Sequence, residues 1–586
     1  MRAFFKILFA SLLALVIFSV VVFFVMGWIA GKAVESDKPE IESKTVLVLD
    51  LSKQLMEQSV SQGLSFPDGQ TAAVNGLYDV VRAIKAAKTD SAVKGIYVKC
   101  GGNPNAFATG EELRNALLDF KTSKKFIIAY GNNISQNDFY VASAAEKLYG
   151  HPQGEFEWKG FGMSYIYLKG LLDMLGVKPE IFYAGQFKSA TEPLREKQMT
   201  PANRLQSMAF LNDLYGHFLK VAAARTGSDT ASLHALANAF EVQNTLDAVQ
   251  YKLIDAVKYD DEVKQEIAQH SGAESIDKIH FMSLADYITA SEDAPGAAEK
   301  IAIIYAQGDI VDGKGSSANI GGDTYMGLLR KARLDKNIKA VVLRINSGGG
   351  SGQASDIIWR EVALTRKEKP VVVSMGDYAA SGGYYIACNA DSIFAQPNTL
   401  TGSIGVFRIY GNISTMLSTK LGITSDGVKT SPSADFGNPL RPMTDKEKLA
   451  AQKEVDMFYQ TFKTKVAEGR KLPLTVVDSL AQGRVWSGKQ ALQLKLVDRL
   501  GNIQDAVDCA AGLAKLKTYG ITELPAVQSF WEKILKTTEP QKAAGESAVI
   551  QKALGTEMAE AVNHLQTVKS WIGVPQARLP FLPTVK

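Results

Sequence analysis

Residues 371–397 read VVVSMGDYAASGGYYIACNADSIFAQP, and residues 126–152, set 245 positions earlier, read FIIAYGNNISQNDFYVASAAEKLYGHP. The two lie over one another without a gap. Gly131 meets Gly376, Tyr140 meets Tyr385, Ala142 meets Ala387, Ala145 meets Ala390 and Pro152 meets Pro397, and the apolar runs coincide. A second anchor follows at an offset of 243, where Lys252-Leu253-Ile254-Asp255 matches Lys495-Leu496-Val497-Asp498. The whole domain therefore reads as duplicated. In the first copy Val46 to Leu51, Gly95 to Lys99 and Phe126 to Tyr130 have the apolar character of buried strands, and Tyr78 to Ala87 and Glu111 to Phe120 have helical spacing. The second copy repeats the pattern, with strands at Ile301 to Tyr305, Ala340 to Arg344 and Val371 to Ser374 and helices at Ala354 to Thr365 and Lys446 to Glu468. Strand and helix alternate, which predicts βαβ units, mostly parallel sheets and an α/β fold.

Working outward, residues 7–31 carry no charge over 25 positions, enough for a helix to cross the roughly 30 Å of bilayer hydrocarbon. Its length and Trp28 favour an uncleaved anchor over a secretory signal, which has a shorter apolar stretch and a small-x-small site. Arg2 and Lys6 precede this stretch, whereas Lys32 is followed by Glu35 and Asp37, so the positive-inside bias keeps the N-terminus cytoplasmic and the bulk of the chain outside. The expected organisation is an anchor and polar spacer over 1–44, a first repeat over 45–289, a linker over 290–299 containing Pro295 and Gly296, a second repeat over 300–523 and a tail over 524–586. The tail has no counterpart and ends in proline-interrupted apolar pieces; a mobile tail and a packing arm are both open. The 586 residues, 46% of them hydrophobic, suffice for two sizeable cores. A net charge of +4, from 65 basic and 61 acidic residues without a long basic run, argues against nucleic acid as a partner. Cys100, Cys388 and Cys509 are too few and too scattered for a disulfide framework or a metal site and read as small apolar residues.

The copies differ in their reactive groups. The second has Ser381 among Ala379, Ala380, Gly382 and Gly383, where the first has Gln136, Asn137 and Asp138. The first has Lys188 in the run Gln186-Phe187-Lys188-Ser189-Ala190, where the second offers Pro432, Ser433 and Ala434. One serine and one lysine remain, one per copy. A serine hydroxyl becomes a nucleophile when one group takes its proton and others hold the charge of the tetrahedral intermediate. Ser381 follows a strand and opens a helical run, so the Gly382 N–H is a natural oxyanion donor. The glycine-rich turn Ser347-Gly348-Gly349-Gly350-Ser351-Gly352 at the end of the neighbouring strand offers the second, from Gly348 or Gly349; it lacks the GK[ST] ending of a phosphate-binding loop. None of the six histidines shares a motif with an acid. A lysine serves as base when burial lowers its pKa, so Lys188, in an apolar setting, is expected to be buried. Ser403, in the glycine-flanked loop Thr401-Gly402-Ser403-Ile404-Gly405, is the candidate to orient its amine.

In the order lysine segment, glycine turn, serine segment and second serine, the stretches FKSATEP, NSGGGSG, GDYAASGGYYIA and TGSIGVF resemble the S49 serine peptidases of the tandem-duplicated signal peptide peptidase A type. The similarity spans the anchor and roughly residues 45–515. It implies two tandem repeats of the Clp protease and crotonase-like fold and a Ser/Lys dyad assembled between them. Ser381 would be the nucleophile, Lys188 the general base and Ser403 the group orienting the lysine, with Gly349 and Gly382 forming the oxyanion hole and no cofactor. It also implies a bowl-shaped homotetramer on a bacterial cytoplasmic membrane, with periplasmic catalytic domains that degrade released signal peptides. The family's turn usually reads Asn-Ser-Pro-Gly-Gly, whereas this chain has Gly348 in place of the proline; losing that fixed φ costs about 0.4 to 1 kcal/mol in unfolded-state entropy where the native backbone suits proline. Two other readings stand beside this one. A crotonase-type acyl-CoA enzyme needs neither the serine nor the lysine and leaves the anchor unexplained. A membrane-tethered scaffold whose duplicated domains merely assemble is the reading that a solvent-exposed Lys188 favours.

Overall fold

In the computed structural model of the chain, the duplication becomes two parallel sheets with one strand order. The structure describes residues 39–59, 75–291, 297–526, 573 and 575–579, and part of a helical stretch between 7 and 22. The first sheet runs Ala256–Val257, Lys147–Gly150, Phe126–Gly131, Val93–Cys100, Thr45–Asp50 and Phe281–Ser283 from edge to edge. The second repeats this order as Arg499–Leu500, Ser392–Ala395, Val371–Ala380, Ile338–Ser347, Lys300–Gln307 and Gly520–Leu524, and adds Leu400–Gly402 beside the end of Val371–Ala380 with Val485–Ser487 antiparallel to it. The helices Phe107–Lys121 and Gly352–Arg366 correspond residue for residue at the offset of 245.

Parallel strands are covered on both faces, so their side chains are apolar throughout rather than alternately. Val371, Val372 and Val373 are all fully buried. Because successive side chains point to opposite faces, Ala302, Ile304, Val341, Leu343, Val371 and Val373 enter the main core of the second copy. Ile301, Ile303, Ala340, Val342 and Val372 meet the helix Ile503–Leu513 on the other side. The first copy does likewise, with Val46, Tyr97, Phe126 and Ile128 packed on Val263, Ile267 and Ala268 of the helix Asp260–Ser271. Cys100 and Cys388 are buried and unpaired by disulfides, as their apolar reading requires.

A third sheet joins the copies. Its order is Asn319–Gly321, Asp309–Val311, Gly349–Ser351, Gln576–Arg578, Val406–Tyr410 and Glu180–Ala184. Glu180–Ala184 belongs to the first copy and pairs antiparallel with Val406–Tyr410 of the second, Ala184 opposite Val406 and Glu180 opposite Tyr410. A buried charge cluster adds to the join: the Arg344 guanidinium reaches the carboxylates of Glu57 at 2.6 Å and Glu112 at 2.8 Å. The Thr109 N–H and Oγ1 donate to the Asp377 carboxylate at 2.9 and 2.8 Å.

Most of the charge-free stretch 7–31 lies outside the described residues, and among the described ones no helix is long and apolar enough to cross a membrane. Residues 292–296 of the expected linker also lie outside, between the helix Leu284–Ser291 and the strand Lys300–Gln307. In the tail, the described residues 575–579 are packed, with Gln576–Arg578 forming a strand of the third sheet.

Candidate active site

Ser381 stands where the strand Val371–Ala380 breaks into the short helix Gly382–Ala387. Its φ of 56° and ψ of −113° lie far from strand and helix, a conformation a non-glycine residue keeps only where its surroundings impose it. The Ser381 N–H donates to the Gly402 carbonyl at 2.8 Å. The glycines after it answer to space: a Cβ on Gly382 would fall 2.7 Å from Ser355 Oγ, and one on Gly383 2.7 Å from the Ser347 carbonyl oxygen. The hydroxyl is thus fixed at an elbow with no side chain crowding it from Gly382 or Gly383.

Lys188 is carried in by the strand Glu180–Ala184, whose pairing with Val406–Tyr410 holds the first copy's chain over the second copy's site. Beyond it the backbone is tied down. The Phe187 N–H donates to the Gln482 carbonyl at 2.7 Å; Gln206 Nε2 donates to the Phe187 carbonyl and to Ser189 Oγ, both at 2.9 Å. Gly483, at φ 73°, permits the approach, since a Cβ there would lie 2.7 Å from both the Cβ and the backbone nitrogen of Lys188. The lysine is 1% exposed. Its Nζ lies 2.8 Å from Ser381 Oγ, 3.2 Å from Ser403 Oγ and 3.3 Å from the Ser403 carbonyl oxygen. Burial pushes its pKa well below the ordinary lysine value, because the charged form loses its water without gaining a carboxylate. A neutral amine at that distance can accept the serine's proton.

Ser403, also at positive φ (48°), is held by its N–H donating to the Arg484 carbonyl at 2.7 Å. In the glycine turn, Gly349 sits at φ 101°, and a Cβ there would fall 2.7 Å from the Gly382 nitrogen, so these two residues lie side by side next to Ser381. The Gly349 N–H donates to Ser347 Oγ at 3.1 Å, and the Gly348 carbonyl accepts the Leu579 N–H at 2.7 Å. The structure thus gathers Ser381, Lys188, Ser403, Gly349 and Gly382.

The matching places in the other halves are otherwise employed. Gln136, aligned with Ser381, accepts the N–H groups of Lys159 and Gly160 at 3.0 and 3.1 Å. Asp138 takes the N–H of Gly102 at 3.0 Å. Ser433, aligned with Lys188, is exposed. Gln206, Gly483 and the C-terminal strand are neighbours of the site that sequence reasoning passed over. Gly483, between Gln482 and Arg484, carried only the generic signal of a turn, and Gln206 is one polar residue in the helix Pro201–Thr226.

A hydroxyl at a strained strand-to-helix elbow, touched by a buried amine on an α/β scaffold, is the arrangement of a serine hydrolase. The chain belongs to peptidase family S49, whose model matches residues 119–274 and 363–517, and it is a serine protease. It is similar to "Protease 4" of Salmonella typhi, 36% identical over 85% of this chain and 81% of that one. It is likewise similar to "Protease 4" of Haemophilus influenzae, 35% identical over 74% and 72%. A third relative is "Serine protease SPPA, chloroplastic" of Arabidopsis thaliana, 29% identical over 81% and 70%.

Proposed function

We propose that this protein is a membrane-anchored endopeptidase that cuts apolar peptides, released signal peptides among them, by acyl-enzyme chemistry on a Ser381/Lys188 dyad. The observation that carries this reading is the 2.8 Å contact between Lys188 Nζ and Ser381 Oγ in a site closed to bulk water. Ser381 Oγ attacks the scissile carbonyl as its proton passes to Lys188 Nζ. The Gly382 and Gly349 N–H groups stabilise the oxyanion, the Gly349 N–H turning from Ser347 Oγ to do so. The ammonium formed is held by the hydroxyl and carbonyl of Ser403 and returns its proton to the leaving amine. A water, deprotonated by Lys188 Nζ, then attacks the acyl carbon; the bond to Ser381 Oγ breaks, and the lysine hands the proton back to that oxygen. The buried setting favours the neutral base at the start of the cycle, and Ser403 supplies the acceptors the charged form needs.

The membrane half of the proposal rests on the charge-free stretch 7–31 and the basic residues before it. An outward-facing peptidase tethered at the bilayer surface meets peptides that partition there. Repeats over 45–289 and 300–523, joined at 290–299, belong to the same reading, as does assembly into a homotetramer. Exposed Leu421, Ile423, Val428 and Phe436, close in sequence, are the kind of apolar surface that a further subunit or a bilayer covers. The test is Ser381→Ala assayed on an apolar peptide. We expect kcat/KM to fall at least about ten-thousand-fold with unchanged thermal stability; activity within a few-fold of wild type would remove the serine from the mechanism.

A further inference from the structure

The glycine turn does not end in an open edge. Gly349, Gly350 and Ser351 pair antiparallel with Arg578, Ala577 and Gln576. The ladder extends at both ends, where the Leu579 N–H donates to the Gly348 carbonyl at 2.7 Å and the Gly352 N–H donates to the Pro575 carbonyl at 3.0 Å. On its other side Gln576 faces Phe407, so the segment lies between the glycine strand and Val406–Tyr410, the strand that positions the lysine-bearing chain. Gln576 to Leu579 are each less than a tenth exposed. Arg578 is further tied to Asp309 at 2.8 Å.

Alternate residues of a strand share a face, so Ala577 and Leu579 point the same way. Leu579 packs into an apolar cluster with Phe210, Ala380, Leu400 and Val485. Ala380 is the residue before Ser381, and Val485 follows Arg484, whose carbonyl accepts the Ser403 N–H. The pocket is therefore built from the same turns that hold the dyad. The Ala577 carbonyl oxygen would lie 2.0 Å from a Cβ on Gly349 and 3.0 Å from one on Gly382, so the strand runs directly beside both glycines. An extended peptide that enters a cleft of this kind does so by adding a strand to the exposed edge, with alternate side chains in pockets. Here that edge and its pocket are occupied by the chain's own residues.

We propose that residues 575–579 are a tethered pseudosubstrate: they occupy the peptide-binding strand position beside Ser381, hold the protease in a self-blocked state, and mark with Leu579 a pocket that selects an aliphatic side chain in substrates. The proposal rests on the Ser381/Lys188 reading and adds to it the register and polarity of the bound peptide. A substrate runs antiparallel to Gly349–Ser351 and uses the Gly348 carbonyl and Gly352 N–H that the tail now uses. Binding of substrate and docking of the tail exclude one another. Because the tail is part of the same chain, it competes as an intramolecular ligand.

The test uses the full-length protein and a fluorogenic apolar peptide. Leu579→Glu puts a charge into the apolar pocket and expels the segment; kcat/KM rises ten-fold or more, chiefly through a lower KM. An acetylated peptide of the sequence Pro575-Gln576-Ala577-Arg578-Leu579, added in trans, inhibits the Leu579→Glu protein competitively and the wild type far less. A Leu579→Glu protein that melts like wild type with kcat/KM within two-fold of it overturns the proposal, and so does a peptide that fails to compete. Should Leu579→Glu impair folding, Asp309→Asn weakens the hold on Arg578 from outside the segment, and an unchanged KM there also counts against self-blocking. Each measurement is paired with Ser381→Ala. Serine-dependent hydrolysis that ignores the tail variants sinks the pseudosubstrate alone, whereas hydrolysis that survives Ser381→Ala sinks the dyad and the pseudosubstrate with it.

Discussion

Lys188 shows most plainly what the site costs. An amine stripped of water prefers to be neutral, and burial alone is the cause of its lowered pKa. Because the folded-state value lies below the unfolded value of 10.5, the unfolded chain holds the extra proton between the two. Stability attributable to this residue is therefore lost as pH falls from 10.5 toward the folded value and regained as pH rises across that window. Lys188→Met keeps the shape and removes the charged form, so we expect an inactive protein that is more stable at neutral pH by on the order of 1 to 3 kcal/mol. Denaturant unfolding at pH 7 checks this, and a Met variant less stable than wild type would contradict it. The same depression has a kinetic counterpart: kcat/KM should climb with pH through an ionisation well below the ordinary lysine range. A climb only near pH 10 would mean that Lys188 remains charged in the working enzyme. The need for a buried amine was legible from the sequence, since no histidine stood in a suitable motif. Its partner atoms were not, because the contact with Ser381 spans 193 residues and that with Ser403 spans 215.

Among the elements, the antiparallel pair Glu180–Ala184 and Val406–Tyr410 does the positioning. The sequence showed Ile181 to Ala184 only as an apolar setting for the lysine. Which strand it joined, and in what register, depends on a partner more than 200 residues away, and register follows from packing rather than from local propensity. The chain after this strand is clamped against Gly483. Gly483→Ala would set a methyl 2.7 Å from the Lys188 backbone nitrogen, at a φ of 73° that alanine resists. We expect the lysine to shift by a fraction of an ångström to an ångström, and kcat to fall about a hundred-fold with a smaller change in KM. Steady-state kinetics on a protein of native circular dichroism would show it. An unaltered kcat would mean that the lysine segment tolerates displacement. The helices, by contrast, were largely readable: the span Glu111 to Phe120 lies within Phe107–Lys121 and Lys446 to Glu468 within Asp445–Arg470, with only the ends extended.

At the scale of the whole molecule, two copies of one fold must stay in register for a single site to exist. Arg344, buried in the second copy, is held between Glu57 and Glu112 of the first. One guanidinium faces two carboxylates there, and burial, with the Glu57 carboxylate adding to it, pushes the Glu112 carboxyl up to about 7; removing Glu57 leaves Arg344 paired with Glu112 but strips the acceptor from Arg344 Nε and Asn346 Nδ2. Glu57→Ala should therefore cost about 1 to 3 kcal/mol through the buried donors it orphans and reduce activity further than the loss of folded protein accounts for, since Glu57 accepts from Asn346 at 2.7 Å, beside the glycine turn. Thermal unfolding with an active-site titration of the folded fraction measures both effects. No measurable loss of stability would show that Glu57 adds nothing to the join between the copies.

The sequence by itself determined that the chain is a duplicated α/β protein in which one copy carries the serine and the other the lysine of the dyad we propose. These are properties of local spacing, apolar periodicity and side-chain chemistry, each readable within a few tens of residues. Only the tertiary structure decided that the lysine crosses into the other copy's site, that Gly483 makes room for it and that the C-terminal strand fills the cleft. Each of those is a contact between segments far apart in the chain, fixed by shape and by backbone hydrogen bonds that no single segment encodes.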